Sequence, residues 1–431
     1  MTGPLPRHLL PLTAEIDSAG ALHVGGLDLV ALAGEVGTPV FVYDEAHLRA
    51  RCQEARLAWG DGTAYATKAF LCRAMAALAH EEGLCLDVST GGELHVALAA
   101  GVPAERLVLH GNNKSDDELR TALATGVGRI VVDSFDELDR IERLVCAPPR
   151  PARAPTVLIR VTPGVEAHTH EFVRTGQDDS KFGFSLAAGL ADEAIARARA
   201  MESNGVLRLA GVHAHIGSQI FLLGSFAAEV EALGGWFASL ALDELCVGGG
   251  LGVAYVEGED APSITDWARE VKEACRRVGI PASTRLTAEP GRSIVATAGL
   301  TLYTIGTIKE VPGVRTYLSV DGGMSDNPRP VLYGSGYEAF LPARAGAARP
   351  WVATVAGKHC ESGDVLVRDA HLPAGTSVGD ILAVPVTGAY GYSMASNYNK
   401  VPRPPVVFVA GGRYRVVVRR EVYDDLFRLD E

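Results

Sequence analysis

The stretch TAYATKAFLCRAMAALAHEEGLCLDV, residues 63–88, decides the fold. It opens with one short apolar run, Thr63–Ala66, and closes with another, Leu84–Val88. Between them, Leu71–Glu82 repeats its apolar residues at helical spacing, the pattern of a helix with one buried face. Strand, helix and strand make one β/α/β unit, the crossover that parallel strands require. Lys68 stands just past the first run, in Tyr65-Ala66-Thr67-Lys68-Ala69-Phe70. An amine at the carboxyl end of a buried strand lies where α/β enzymes do their chemistry, and it can condense with an aldehyde cofactor. A lysine taken alone is more often a solvated surface charge.

The unit repeats outward from this stretch. Further strands are expected at Leu107–His110, Arg129–Val132, Thr156–Val161, Leu209–His213, Leu242–Val247 and Arg285–Glu289. Helical patterns precede and separate them, at Glu45–Ala58, Gly92–Ala100, Asp116–Ala124, Phe135–Leu144, Ala191–Ser203, Phe226–Leu240 and Ile264–Val278. Eight strands with interleaved helices is the count of a (β/α)8 TIM barrel, with a doubly wound open sheet as the competing α/β arrangement. After residue 296 the texture changes to short β-branched runs separated by Gly and Pro, which reads as an all-β domain, a sandwich or barrel. The expected division is a barrel over 38–295 and a β domain formed by 296–431 together with 1–37, where Leu22–Val24 and Leu27–Leu29 can add strands. Ala147–Pro155 reads as a surface loop within the barrel.

Composition narrows the function classes. The 431 residues are 47% hydrophobic and 21% charged, an ordinary globular balance with a large core. Forty basic against 52 acidic residues leave a net charge of −12, which disfavours nucleic acid or an anionic membrane as partner. No apolar run is long enough to span a membrane. Met1–Leu12 is broken by Pro4, Pro6 and Pro11 and lacks the apolar centre of a signal peptide. The seven cysteines are scattered, with no Cys-x-x-Cys, so reduced thiols in the cytoplasm are expected.

Almost every expected strand end is polar or glycine-rich: Lys68; Asp87 with Glu93; His110; Asp133; Arg160; His213 to Ser218; Gly248-Gly249-Gly250; Glu289-Pro290-Gly291-Arg292. A barrel kept for stability alone would not need that. The triple glycine follows the seventh strand, where this fold commonly binds phosphate, although a bare Gly-Gly-Gly is also an ordinary turn. It is not a dinucleotide fingerprint, because Val253 stands where the third glycine would be. Arg292 and Ser218 offer donors to the same phosphate. His213-x-His215 invites a metal reading, with Glu289, His168 and His170 as further ligands. The other use of His215 is a flat ring packed on a flat cofactor. His359 and Cys360 are neighbours in an extended segment and so point to opposite faces, which leaves Cys360 as a lone acid or as inert core.

These segments together resemble one family. They are Tyr-Ala-Thr-Lys-Ala-Phe (65–70), Leu-Asp-Val-Ser-Thr-Gly-Gly-Glu-Leu (86–94), His-Gly-Asn-Asn-Lys-Ser (110–115), Gly-Val-Glu-Ala-His-Thr-His-Glu-Phe (164–172), Lys-Phe-Gly-Phe-Ser (181–185), His-Ala-His-Ile-Gly-Ser-Gln-Ile (213–220) and Glu-Pro-Gly-Arg-Ser-Ile (289–294). Asp-Gly-Gly-Met-Ser-Asp-Asn-Pro-Arg-Pro-Val-Leu-Tyr (321–333), Cys-Glu-Ser-Gly-Asp (360–364) and Gly-Ala-Tyr-Gly-Tyr-Ser (388–393) follow in the β-rich part. The chain is similar to the fold-type III pyridoxal-phosphate decarboxylases over almost its whole length. Asn-Asn-Lys-Ser and Cys-Glu-Ser-Gly-Asp point to their diaminopimelate branch. The resemblance implies pyridoxal 5′-phosphate held by Lys68 as an imine and passed by exchange to the amine of meso-diaminopimelate, which then loses carbon dioxide to become L-lysine. It implies Glu289 at the ring nitrogen, His215 stacked on the ring, and Asp87 near the imine. Ser218, Gly248, Gly249, Gly250, Gly291, Arg292 and Tyr390 would line the phosphate. It implies Cys360 as proton donor from the partner subunit of a homodimer, and Arg292, Arg329, Tyr333, Glu361 and Tyr390 as substrate contacts. No resident metal is implied. A sister decarboxylase of another basic or carrier-bound amino acid, an inactive regulatory homologue and a metal hydrolase are the competing functions.

Overall fold

A computed structural model describes residues 3–165 and 180–431. The chain forms two compact units, one of Cys52–Gly252 with Ala261–Ser293, the other of Met1–Arg51, Val253–Asp260 and Ile294–Glu431.

The first unit is the TIM barrel. Its strands are Ala64–Ala66, Cys85–Val88, Leu107–Leu109, Arg129–Val132, Thr156–Thr162, Arg208–Ala214, Glu244–Cys246 and Arg285–Thr287, each parallel to the next. The ring closes where Ala64 N donates to Ala288 O at 3.0 Å and Ala66 N to Pro290 O at 3.1 Å. Helices cover the outside for reasons visible in their sequences. Ile264–Arg277 buries Ile264, Trp267, Ala268, Val271, Ala274 and Cys275, one stripe at helical spacing. Asp116–Thr125 starts in a capping box of Ser115 and Glu118, which satisfies two end groups at once.

The interior follows the two-residue period of a strand. Ala64, Cys85, Val108, Val131, Leu158, Ala210 and Cys246 form one buried cluster, one residue from each of the first seven strands. Two positions further along come Asp87, His110, Asp133, Arg160 and Gly248, and two beyond Thr287 comes Glu289. On the sixth strand the register shifts between Leu209 and Gly211, so it is His213 that lies beside Arg160. Gly211 is required there, because a Cβ would sit 1.9 Å from Glu244 O. The alternation thus turns a layer of small core residues into a layer of polar groups at the barrel mouth.

At the other end the interior is plugged by charge. Glu244 is fully buried and accepts from Arg129, from Arg285 and from Thr287 Oγ1. Arg129 also donates to Gly62 O at 2.9 Å.

The second unit is β-rich. Its eight-stranded sheet runs Val365–Leu372, Trp351–Ala356, Arg315–Val320, Gly299–Val311, Val40–Asp44, Val406–Ala410, Arg413–Val418, with Ile381–Pro385 also paired to the long Gly299–Val311. Two strands of this sheet were not expected from sequence. Val40–Asp44 falls inside the range assigned to the barrel, yet it pairs with Gly299–Val311 and Val406–Ala410. A continuous apolar run does not say which sheet it will join. Val365–Leu372 is bulged at Arg368–Asp369, with Asp369 at φ +51°, and this breaks the alternation that marks a strand. Leu22–Val24 and Leu27–Asp28 form a small separate sheet with Glu15–Ile16, and Leu29 begins a helix capped by Asp28.

Replacing Glu244 by Ala strands Arg129 as a buried, uncompensated charge. We expect a loss of about 3–5 kcal/mol in urea unfolding followed by barrel fluorescence, with the β-rich unit unaffected.

Candidate active site

The mouth of the barrel is organised around Glu289. His110 Nε2 lies 2.8 Å from its Oε1 and His213 Nε2 lies 3.0 Å from its Oε2. Burial opposes the charge of Glu289, but the two imidazoles outweigh it and hold the carboxyl well below the usual range. Burial lowers His213 to about 4, so its ring is neutral at pH 7 and donates through Nε2. His215, one turn of alternation later, has a different partner: its Nδ1 accepts from Gly249 N at 3.2 Å. Burial, then the charges of Lys68 and Arg160, push His215 well below its ordinary value, leaving a flat neutral ring. Lys68 follows the first strand with an exposed side chain between buried Thr67 and Ala69. Asp87 is buried 3.8 Å from His110 Nε2, and burial raises its carboxyl above the usual value. Glu93 is raised for the same reason and accepts from Ser89 N at 2.6 Å.

The triple glycine is more than a flexible turn. A Cβ on Gly248 would lie 2.6 Å from Ala214 O, on Gly249 2.3 Å from Glu289 O, and on Gly250 2.2 Å from Gly217 O. The loop is wedged between the ends of the sixth and eighth strands, with a main-chain oxygen as the nearest neighbour of each glycine. Gly248 and Gly250 also take φ values of +62° and +111°, open to glycine at no steric cost. Beside this cradle, Arg292 Nη2 donates to Ser218 Oγ at 3.0 Å. Gly291 brings the same segment against Ala66, whose O a Cβ would meet at 3.0 Å.

Several supporting residues were not assigned from sequence. Lys114, in Asn-Asn-Lys-Ser, is buried and donates to Gly111 O at 2.8 Å, Val131 O at 2.6 Å and Glu137 Oε1 at 2.7 Å. It therefore braces the loops after the third and fourth strands. Glu137 stands in the first turn of the helix Phe135–Cys146, where Ser134 caps by accepting from its N–H. Its carboxylate instead takes Lys114 and the Asp133 N–H, a pairing that spacing cannot show. Asp133 in turn accepts from Gly183 N at 2.7 Å, and Arg160 lies 4.3 Å above the Phe182 ring. This docks the Lys-Phe-Gly-Phe-Ser segment on the barrel.

The metal reading of His213-x-His215 separates the two rings. His110, His213 and Glu289 have ligand atoms within 4.8 Å of one another. The Nε2 atom of each imidazole is already at hydrogen-bond distance from a carboxylate oxygen, where a zinc ion would hold both about 2.0 Å from itself. His168 and His170 lie outside the described residues.

In the β-rich unit, Arg329 is buried, with its guanidinium 4.3 Å from the Tyr255 ring and Nη1 donating to Tyr337 OH at 2.5 Å. Tyr333 is half-buried and ends the same short helix, Arg329–Tyr333. Cys360 and Glu361 are exposed. Their loop is tied by Asp364, which accepts from Met324 N at 2.6 Å and His359 N at 2.8 Å. His359 turns inward to Ser325 Oγ at 2.8 Å and Asn399 Oδ1 at 3.0 Å, away from the exposed Cys360. Glu361 accepts from Tyr398 OH. Tyr390 is half-buried at φ +59°, an uncommon conformation for a non-glycine residue.

Residues 45–296 match the family model of the pyridoxal-dependent decarboxylase, pyridoxal binding domain. The chain belongs to the pyridoxal-dependent decarboxylases. It is 48% identical to a diaminopimelate decarboxylase of Halalkalibacterium halodurans across 97% of each chain. It is 45% identical to that of Mycobacterium tuberculosis, over 99% of this chain and 98% of the relative. The crystal structure of a diaminopimelate decarboxylase from M. jannaschii in complex with L-lysine superposes with a TM-score of 0.89 at 31% identity, covering 97% of this chain and 98% of that one.

The barrel mouth fits pyridoxal 5′-phosphate. It offers an amine in Lys68, an anion in Glu289, a flat neutral ring in His215, and a main-chain cradle flanked by Arg292 and Ser218. Gly250→Ala should weaken capture of pyridoxal 5′-phosphate by the apo-protein about tenfold or more, ~1.4 kcal/mol, in a fluorescence titration. Gly235, exposed in the helix Leu223–Leu240 with nothing within 4 Å of a Cβ, serves as the control. Its change to Ala should leave the titration unmoved.

Proposed function

We propose that the chain removes one carboxylate of meso-2,6-diaminopimelate as carbon dioxide and releases L-lysine, the last step of lysine biosynthesis, as a cytoplasmic homodimer. The observation that carries this reading is 48% identity, across 97% of both chains, with relatives that bear the name of that activity. The lysine-bound relative supports the product. Among the described residues, no helix is long and apolar enough to cross a membrane.

Lys68 is the amine that would hold the cofactor's aldehyde, and Glu289 the carboxylate at its ring nitrogen. His215 would lie against the ring, with Asp87 beside Lys68. Ser218, Gly248, Gly249, Gly250, Gly291, Arg292 and Tyr390 would hold the phosphate. Bound there, pyridoxal 5′-phosphate supplies the electron sink for the pair left behind when the carboxylate departs. Glu289 stays anionic and so favours a proton on the ring nitrogen, which deepens that sink. One proton must then reach the α-carbon, and we assign it to the Cys360 thiol of the partner subunit. Exposure of Cys360 on a braced loop supports that assignment.

Substrate choice is assigned to the distal end. Arg329 offers a bidentate grip for the second carboxylate. Its guanidinium is already fixed by Tyr255 and Tyr337. Glu361, with Tyr333 and Tyr390, would meet the distal ammonium, and Arg292 would reach substrate as well as phosphate. A substrate without the distal carboxylate leaves a buried arginine without its anion, a mismatch worth about 10⁴ in kcat/KM.

Carbon dioxide release should therefore favour meso-diaminopimelate over L-lysine, L-ornithine and L-arginine by about that factor, with L-lysine as the product by mass spectrometry. Comparable release from ornithine or arginine would reassign the substrate. Lys68→Ala and Cys360→Ala proteins should each be inactive. Mixed in equal amounts and allowed to exchange subunits, they should regain about a quarter of wild-type activity, since half of the dimers hold one intact site. No recovery on mixing would count against a shared site.

A further inference from the structure

We propose that His110 and His213 are positioning residues for the reaction: together they fix the Glu289 carboxylate and keep it ionised, and so decide whether the cofactor ring nitrogen carries a proton. The inference rests on the reading that Lys68 holds pyridoxal 5′-phosphate, and it assigns a role to two side chains that would touch neither substrate nor cofactor.

The geometry uses one imidazole for each carboxylate oxygen, 2.8 Å for His110 to Oε1 and 3.0 Å for His213 to Oε2. The terminal torsion of a glutamate is soft, so a single donor would leave the carboxylate free to turn. Two donors on two strands remove that freedom. The rings also brace each other edge to face, with centroids 4.9 Å apart and planes at 69°. Among the described residues, His213 Nδ1 is buried with no hydrogen-bond partner. The proton of this neutral ring therefore belongs on Nε2, where it can only be given to Glu289.

Without those donors the carboxylate would be buried among groups that do not replace them. Asp87 on the second strand adds a like charge and has an oxygen, Oδ1, without a hydrogen bond among the described residues. Arg160 on the fifth strand is paired with Asp133 at 3.4 Å. Arg129 on the fourth strand is paired with Glu244 at the base of the barrel. Lys68 just past the first strand, His215 just past the sixth, Cys246 on the seventh and Glu93 beside Asp87 are further titratable groups nearby. Burial alone would drive Glu289 to take up a proton, and a neutral carboxyl no longer favours a charged ring nitrogen across from it. The two histidines reverse that outcome. The register shift at Leu209 and Gly211 has the same purpose in the backbone, since it turns His213 rather than Val212 toward the carboxylate.

The test uses holoenzyme prepared with pyridoxal 5′-phosphate labelled with ¹⁵N in the ring. Wild-type protein should give the shift of a protonated ring nitrogen at pH 7. The double variant His110→Leu/His213→Leu should give the unprotonated shift and a reduced kcat with little change in KM. The variants His110→Gln and His213→Gln, whose amide N–H can still donate, should keep the protonated shift. In the single variant His110→Leu, which tests the point even if the double variant fails to fold, the pH of ring-nitrogen deprotonation should fall by about one unit, roughly the strength of one hydrogen bond to a charged group. A folded Leu variant that retains the wild-type shift and titration overturns the inference. Intact mass after borohydride trapping, on the same samples, separates the two readings. An adduct on Lys68 with an unmoved ¹⁵N shift defeats the role of the histidines alone. Absence of an adduct from wild-type protein defeats the cofactor assignment and this inference with it.

Discussion

Closure of the parallel sheet is the constraint from which the site follows. The main-chain bonds from Ala64 to Ala288 and from Ala66 to Pro290 join strands at opposite ends of the barrel sequence. Ordering so long a loop is entropically unfavourable, and the gain comes from the ladders and the packed interior layer that closure completes. Once the ring exists, the two-residue period leaves little choice about what faces its mouth. Lys68 at the first strand and Glu289 at the eighth enter one circle of strand ends. A substitution that opened the ring would separate the amine from the anion before it altered either.

Putting so many charged groups inside a barrel demands a partner for each. Arg129 has Glu244, Lys114 has Glu137, Arg160 has Asp133, and Glu289 has two imidazoles. Each partner comes from a different strand or helix, so the pairs also tie neighbouring units together at fixed depth. Asp87 departs from this rule. Its Oδ1 has no hydrogen bond among the described residues, and burial raises its carboxyl. A buried polar atom without a partner is costly in a purely structural layer and is more common where a ligand is handled. Its place beside the charge of Lys68 fits that account.

Much of this was legible in the sequence. The eight strands and their helices follow from periodicity. The polar ends follow from alternation, and the motifs name the family without any coordinate. The division into units was less legible, because Val40–Asp44 is an apolar run with no mark of the sheet it joins. A two-residue bulge hid Val365–Leu372. In the site, the residues that the motifs assign to cofactor or substrate were visible, and the pairings that support them were not. Lys114 and Glu137 meet across 23 positions, and His110 and Glu289 across 179. Such pairs carry no local signal, since nothing in a strand or helix period depends on the partner. His213 was visible only as half of a metal-like His-x-His. The shift of register that gives it a different partner from His215 belongs to the backbone rather than to residue types.

The same logic of support holds in the β-rich unit, where no barrel geometry exists to supply it. Arg329 is held by a ring and a hydroxyl from Tyr255 and Tyr337, and the Cys360 loop by the Asp364 carboxylate and His359. In each case a long or exposed side chain is anchored from behind by groups of its own unit, so its conformation is set before any ligand arrives. Ordering an arginine on binding would consume much of the energy that its bidentate contact provides. An arginine ordered beforehand can spend that contact on choosing between substrates. Preorganisation of this kind explains why the residues around Arg329 are aromatic and buried while Arg329 itself is charged. The first group determines where the second can be, and only the second needs to match the chemistry of the substrate.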